Sequence, residues 1–179
     1  MDETDVLLFP PLRAAWAKRG QQARVRLTGR DARRVIFGAL DLRTGHRVLA
    51  VHAYQRAADF CAFLEDLRRR YHDRPVALLL DGDPSHTAQR SLHRAATLRI
   101  HLLWLPTRSP ELNPIEHLWR SAKQKVSANR QEATIERVVA RFMSYLERLT
   151  PCAALHKVGV LSPHFWLRAA LSKINPRPT

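Results

Sequence analysis

One candidate for metal chemistry is Asp81, which directly follows the apolar run Val76–Leu80. A run that is apolar on both faces is typical of a parallel strand buried in mid-sheet. Open α/β sheets place their ligand crevices at the carboxyl ends of such strands, so a carboxylate here reaches both solvent and a ligand. The alternative is structural, because Asp81 also begins the turn-forming sequence DGDPSH. Asp81 alone leaves both interpretations open.

Glu116 is a second candidate, at the start of a predicted helix in the sequence NPIEHLW. Asn113 fits the N-cap, Pro114 the first helical position and Glu116 the third, which together describe a capping box. An ion pair with Arg120 four residues later is a further structural explanation. A carboxylate in this position can also hold a metal, since hard divalent cations prefer oxygen ligands from several elements.

The elements that must position these residues follow from the spacing of apolar residues. Two β-rich runs, RRVIFGALDL and RVLAVHAY, are joined by RTGH and predict an antiparallel hairpin. The first thirty residues are predicted to be loops around a short strand near Ala23 to Leu27. The remaining predictions are two strands and four helices, in the order helix 57–71, strand 76–81, helix 87–96, strand 100–105, helix 114–127 and helix 132–149.

This order predicts an α/β fold of the ribonuclease-H-like type, a mixed sheet of an antiparallel hairpin plus parallel strands flanked by helices. We expect one domain over residues 1–175, with a core over 1–130, closing helices over 131–175 and a disordered tail over 176–179. Trp119 lies on the apolar stripe of its helix, so core packing is favoured over base stacking.

The formal net charge is +14, from 30 Lys and Arg against 16 Asp and Glu. Arginine-rich surfaces suit phosphate, so nucleic acid is the expected partner, although a coding bias toward arginine is the alternative. Two cysteines give no disulfide framework or four-cysteine zinc site. The absence of a long apolar run predicts no membrane partner, and two cysteines in apolar surroundings indicate a cytoplasmic protein.

The sequences LLLDGDPSHTA and LWLPTRSPELNPIEHLWRSAKQKV resemble the second and third signature blocks of the DDE transposases of the mariner group, particularly its bacterial insertion-sequence branch, the IS-six-thirty family. The 34 residues that separate Asp81 from Glu116 match the interval typical of that group. The opening DETDVLLFPPLRAAWAKRGQQ resembles the first block, which implies that Asp2 is the first metal-binding carboxylate.

The resemblance implies a catalytic domain in which Asp2, Asp81 and Glu116 hold two Mg²⁺ or Mn²⁺ ions. It also implies nicking at transposon ends and strand transfer into target DNA, with a homodimer in the active complex. Such ions, about 3.5 to 4 Å apart, activate the attacking oxygen and stabilise the leaving one. In this interpretation Asp81 bridges the two ions.

Three further residues are accessory candidates. Asp83 is an extra acid near Asp81, which Gly82 follows where the family usually has Asn. His86 matches a family histidine, and a solvent-facing position at a helix start is the equal alternative. His117 is expected to be structural or a phosphate contact. Basic residues expected to track DNA phosphates are Arg108, Arg120, Lys123, Lys125 and Arg130.

Only Met1 precedes Asp2, so we expect a truncated first strand whose neighbours have unpaired backbone groups, each costing about 1 to 3 kcal/mol if buried. This predicts a catalytic portion that needs upstream residues for activity. The competing hypotheses are a related ribonuclease-H-like nuclease without strand transfer and a non-catalytic basic remnant that binds DNA by charge.

Overall fold

The computed structural model describes residues 1–14, 16–22, 24–25, 27 and 29–174, with residues 172–174 described by their backbone alone. A 3₁₀ turn at Pro110–Leu112 precedes the helix Glu116–Ala122, and a π-helical turn at Lys123–Ser127 follows that helix. The strands and helices are β1 Asp2–Leu7, β2 Arg33–Leu40, β3 Arg47–His52, α1 Ala57–Arg70, β4 Val76–Leu80, α2 Pro84–Thr87, α3 Gln89–Thr97, β5 Ile100–Trp104, α4 Glu116–Ala122, α5 Ile135–Arg148, α6 Pro151–Lys157 and α7 Arg168–Ile174.

The strands form two hydrogen-bonded groups. Strands β1, β2 and β3 make an antiparallel sheet in that order, with Asp2 opposite Gly38, and β4 pairs with β5 in parallel. The amino nitrogen of Met1 donates a hydrogen bond to the carbonyl oxygen of Leu79, at 2.7 Å. This contact places the start of β1 beside the end of β4, so Asp2 and Asp81 lie at the same edge of the molecule.

Helices cover both faces of the strands, because successive residues of a strand point to opposite sides. On one face, Ile36 packs with Trp119 of α4 and Phe142 of α5. On the other face, Phe37 packs with Phe60 of α1 and Leu80 of β4. Strands between two helical layers give the ribonuclease-H-like α/β architecture that the sequence predicts.

The close approach of α4 to β2 depends on a glycine. A Cβ atom built on Gly38 would lie 2.5 Å from Cη2 of the Trp119 indole and 3.1 Å from Cδ1 of Ile115. A real Cβ atom does not approach another heavy atom to 2.5 Å, so glycine at this position is what allows the Trp119 indole to pack this close to β2. Gly38 also pairs with Asp2 across the sheet, which puts Trp119 next to the first carboxylate.

Several predicted elements are confirmed and others are wrong. The hairpin, α1 and the parallel β4–β5 pair are present. The prediction of loops at the start is wrong, because Asp2–Leu7 forms β1. The expected strand near Ala23 to Leu27 includes Ala23 and Arg26, which lie outside the described residues, and Arg24, Val25 and Leu27 have no regular structure.

The structure also corrects the predicted bounds of three helices and the predicted burial of β4. The helix expected over 87–96 is divided into α2 and α3, and the one expected over 114–127 is α-helical only from Glu116 to Ala122. The helix expected over 132–149 is confirmed as α5, with shorter bounds. Strand β4 is less enclosed than predicted, since Ala77 is exposed. The domain bounds stay a prediction, and the tail 176–179 lies outside the described residues. Within the described part of the chain, no helix is long and apolar enough to cross a membrane.

Candidate active site

Three separate elements bring Asp2, Asp81 and Glu116 to one cavity. Asp2 is the first residue of β1, Asp81 directly follows β4, and Glu116 is the first residue of α4. All three line a cavity of about 100 Å³, together with Arg108, Asn113 and the loop around Pro106. The structure therefore places together the three carboxylates that the sequence indicates.

A buried residue of the core, Trp119, binds the Asp2 carboxylate. The indole Nε1 of Trp119 donates a hydrogen bond to Oδ2 of Asp2 at 3.0 Å, and Trp119 itself is only 1% exposed. Burial raises the pKa of Asp2 to about 8, and the neighbouring charges of Glu116 and Glu3 add to this shift. The predicted core position of Trp119 is confirmed, and its ring nitrogen has an added function of orienting Asp2.

Glu116 does not form the predicted capping box. Helix α4 begins at Glu116 with Ile115 as its N-cap, and no side chain caps it. The amide of Asn113 donates instead to the carbonyl oxygen of Met1 at 3.0 Å, and its Oδ1 is buried without a hydrogen-bond partner among the described residues. The ion pairs of the described residues do not include one between Glu116 and Arg120. The structural explanations for Glu116 are therefore wrong, and its carboxylate lies at the cavity.

Asp81 is the most accessible of the three, with its side chain 55% exposed. Its Oδ1 accepts a hydrogen bond from Nδ1 of His86 at 3.0 Å and one from the backbone nitrogen of Asp83 at 3.3 Å. The hydrogen bond from His86 holds the pKa of Asp81 below its usual range, although burial acts in the opposite direction. The turn interpretation of Asp81 is thus partly right, and it coexists with a position on the cavity.

His86 is fully buried, so the prediction of a solvent-facing residue is wrong. Its Nε2 lies 2.7 Å from Oε1 of Glu3, whose side chain is 5% exposed, and its ring packs against Phe60 with 4.5 Å between centroids. Burial opposes the charged ring, but the hydrogen bonds to Asp81 and Glu3 outweigh it and raise the pKa of His86 to about 10.

The sequence interpretation missed Glu3. It lies next to Asp2 on β1, and alternation along the strand turns it to the opposite face, toward His86. The available signal was the Asp-Glu pair itself, whose second carboxylate had no assigned function. Recognising it required knowing that residues 2–7 form a strand.

Two accessory candidates lie away from the cavity. Asp83 caps α2, where its Oδ1 accepts hydrogen bonds from the backbone nitrogen of Ser85 at 2.8 Å and from its hydroxyl at 2.6 Å. His117 is exposed on α4 and does not line the cavity.

The basic candidates differ in whether they line the cavity and in how exposed they are. Arg108 lines the cavity from an exposed loop position with a left-handed backbone, at a φ of 60°. Arg120 and Lys125 are exposed, and Lys123 is half-buried. Arg130 is exposed and pairs with Glu132 at 3.0 Å.

The donor set fits a hard divalent cation by its chemistry. Asp2 and Glu116 repel each other as carboxylates, which favours either a proton or a cation between them. Among the described residues, no group of three or more His, Cys, Asp or Glu side chains is drawn together as a formed metal site. The three carboxylates share the cavity without converging on one point.

The antiparallel β1–β3 sheet, the parallel β4–β5 pair and the helical layers define the ribonuclease-H-like class of fold, here with an acidic cavity. A family profile described as "DDE superfamily endonuclease" matches residues 1–139. The chain therefore belongs to the DDE superfamily endonucleases, and the predicted membership of the mariner and IS630 group is confirmed.

One relative is the "Insertion element IS630 uncharacterized 39 kDa protein" of Shigella sonnei. It is 25% identical over 152 residues, which cover 84% of this chain and 44% of that protein. This chain thus spans less than half the length of that relative.

Solved structures of similar fold include the "Mos1 transposase paired-end complex with left transposon end", with a TM-score of 0.69 and 20% identity over 95% of this chain and 53% of that one. A second is the "Crystal structure of the Mos1 mariner paired end complex with Mn", with a TM-score of 0.69 and 19% identity over 99% of this chain and 55% of that one. At these identities the likeness confirms the predicted ribonuclease-H-like fold.

Proposed function

We propose that this chain is the catalytic domain of a DNA transposase that nicks insertion-sequence ends and transfers the strand into target DNA. The observation that carries the proposal is the meeting of Asp2, Asp81 and Glu116, from three elements, around one cavity. Family membership supports the reaction class, and the resemblance to insertion-sequence proteins supports the substrate.

The carboxylates of Asp2, Asp81 and Glu116 are proposed to hold two Mg²⁺ or Mn²⁺ ions. Bound there, the ions would supply Lewis acidity for the attacking and leaving oxygens of a phosphodiester. Asp2 is oriented by Trp119 and Asp81 by His86, so two of the three proposed ligands are held by buried partners before any ion binds. Oxygen donors of this kind suit Mg²⁺ and Mn²⁺ better than zinc.

DNA is proposed to approach over the cavity mouth. Arg108 lies on that rim, and its exposed guanidinium can neutralise a phosphate beside the carboxylates. Arg120, Lys123, Lys125 and Arg130 extend positive charge along α4 and the segment that follows it, and the formal net charge of +14 favours any polyanion. Such contacts position DNA without reading its sequence.

The solved relatives suggest the assembly. The Mos1 structures are named as paired-end complexes, one with a transposon end and one with Mn. We extend both features to this chain as a proposal: a homodimer that brings two transposon ends together and uses divalent ions.

The test is a nicking and strand-transfer assay on labelled insertion-sequence-end DNA with Mn²⁺. It is run on this chain and on a version extended by the residues encoded upstream of Met1. Asp81→Ala and Glu116→Ala are expected to reduce nicking by at least a hundredfold. Glu147→Ala is the matched control, because it removes an exposed carboxylate on α5 that does not line the cavity.

The outcomes separate the hypotheses. Equal nicking by the wild type and by both carboxylate variants would show that the catalytic assignment is wrong. Nicking without joining would favour a nuclease that lacks strand transfer. Binding that is indifferent to sequence, disappears with added salt and yields no cleavage would favour a non-catalytic DNA-binding protein.

A further inference from the structure

A buried histidine joins the second proposed ligand to a carboxylate that the proposed reaction does not use. His86 has no exposed surface, and each of its ring nitrogens faces a carboxylate oxygen. Nδ1 lies 3.0 Å from Oδ1 of Asp81 and 3.1 Å from the backbone carbonyl oxygen of Asp81, and Nε2 lies 2.7 Å from Oε1 of Glu3. Because a backbone carbonyl oxygen only accepts hydrogen bonds, Nδ1 is the donor to Asp81.

The two ends of this chain of hydrogen bonds differ in their surroundings. Glu3 is 5% exposed and lies behind the site, whereas the Asp81 side chain is 55% exposed and lines the cavity. At Asp81 the donors converge on one oxygen, Oδ1, which also receives the backbone nitrogen of Asp83 at 3.3 Å. No described residue donates to Oδ2, so that oxygen is left for a ligand in the cavity.

We propose that Glu3 and His86 are positioning residues, which fix the Asp81 carboxylate by its Oδ1 so that Oδ2 faces the metal site. This inference rests on the proposed metal-binding function of Asp81. Without the pair, the half-exposed Asp81 carboxylate would keep only the backbone nitrogen of Asp83, at 3.3 Å, as a donor among the described residues. A ligand that must be ordered on binding loses affinity, and partners of this kind typically contribute about 10- to 100-fold to metal affinity or activity.

The burial of the pair supports this function over simple core packing. A buried Glu and His side by side are costly unless the polar atoms of each are hydrogen bonded. Phe60 packs on the ring and excludes water from it. Apolar residues would fill the same space at lower cost, so the pair is explained by what it does at Asp81.

Two substitutions at His86 separate its two nitrogens. In His86→Asn the side-chain amide occupies the place of Nδ1 and can still donate to Asp81, whereas the contact with Glu3 is lost. In His86→Gln the longer side chain places its amide near the position of Nε2, so the contact with Glu3 is kept and the donor to Asp81 is lost. Both variants remove the ring, so a merely structural function would affect them alike.

The measurement is the Mn²⁺ dissociation constant, by calorimetry or by the EPR signal of free Mn²⁺, on protein freed of metal with EDTA. We expect His86→Gln to bind Mn²⁺ about 10- to 100-fold more weakly and His86→Asn to stay within about threefold of wild type. His93→Gln is the matched control, because His93 is exposed on α3 and away from the cavity.

Glu3 has its own pair of variants. Glu3→Gln keeps an acceptor for Nε2, and we expect Mn²⁺ affinity within about threefold of wild type, since the hydrogen bond survives. Glu3→Leu fills the space but removes the acceptor, and we expect about a tenfold loss of affinity as the ring loses its orientation. Circular dichroism on each variant checks that it is folded.

A second readout needs no variant that risks misfolding. In wild-type protein labelled with ¹⁵N-histidine and free of metal, Nδ1 of His86 is expected to carry a slowly exchanging proton, because it is buried and bonded to Asp81. Addition of Mg²⁺ is expected to shift the Nδ1 signal more than the Nε2 signal, because Nδ1 is bonded to the ligand.

The outcomes distinguish this inference from the proposed function. Equal Mn²⁺ affinities for His86→Gln and His86→Asn, or an Nδ1 without a proton, overturn the positioning function while leaving the metal site intact. A wild-type protein that binds no Mn²⁺ at millimolar concentration overturns the metal site and the inference with it. Weak binding by His86→Gln alone supports both.

Discussion

Replacement of Asp2 by Asn is expected to stabilise the metal-free protein. Burial and the neighbouring charges of Glu116 and Glu3 raise the pKa of Asp2 to about 8 in the folded chain, from an ordinary value of 3.8. The unfolded chain therefore releases this proton near pH 4, whereas the folded chain retains it until about pH 8. Stability that is fully present below pH 4 is lost as the pH rises through that window.

The size of the effect follows from the same shift. At about 1.4 kcal/mol per pKa unit, ionisation of Asp2 in the unfolded state by pH 7 costs the folded protein on the order of 4 kcal/mol at most. Asn carries no charge, and its Oδ1 can still accept the hydrogen bond from Trp119. We expect Asp2→Asn to raise the free energy of unfolding by about 2 to 4 kcal/mol at pH 7 and by almost nothing at pH 4.

The assay is urea unfolding in EDTA across pH 4 to 8. Asp5→Asn is the control, because Asp5 lies on the same strand in an exposed ion pair with Arg33, and such pairs contribute about 0 to 1 kcal/mol. With Mn²⁺ added, wild type should gain stability and Asp2→Asn should gain much less. If Asp2→Asn is less stable than wild type at pH 8 in EDTA, then ionised Asp2 does not destabilise the folded chain and this reasoning is refuted.

Three further predictions test the supports of the site and its surface. Gly38→Ala is expected to destabilise the chain by about 1 to 3 kcal/mol in urea, since its Cβ would lie 2.5 Å from Trp119; Gly82→Ala, whose Cβ meets nothing within 4 Å, should change little. Trp119→Phe removes the donor to Asp2 and should cost about 1.5 to 3 kcal/mol, with slower nicking by a protein that is still folded; unchanged nicking would contradict that function of the indole. Arg108→Ala should reduce the slope of log affinity for DNA against log salt by about one unit in a filter-binding titration, and an unchanged slope would remove Arg108 from the DNA path.

The candidate site was predictable to the extent that local signals coincide with tertiary position. Asp81 ends an apolar run and Glu116 starts a helix, so each carboxylate is placed by its own element. Asp2 could be indicated only by resemblance, because the polar sequence DETDVL lacks the apolar alternation of a half-buried strand. Its strand conformation depends on pairing with β2, which no local pattern encodes.

The hydrogen-bond partners of the site residues could not be predicted from the sequence for the same reason. Whether His86 faces solvent or the core depends on where Glu3 lies, 83 residues earlier in the chain. The capping box at Asn113 was a sound local prediction, and it fails because the Asn113 amide bonds to the backbone of Met1. Long-range hydrogen bonds thus decided the burial of His86 and the partner of Asn113.

The most direct test of the account is the structure of the chain with Mn²⁺, with the ions located by their anomalous scattering. We predict peaks in the cavity between Asp2, Asp81 and Glu116, with Oδ2 of Asp81 among the ligands and His86 still bonded to Oδ1. Ions bound elsewhere, or a cavity that stays free of anomalous density at saturating Mn²⁺, would contradict the proposal that these three carboxylates form the catalytic centre.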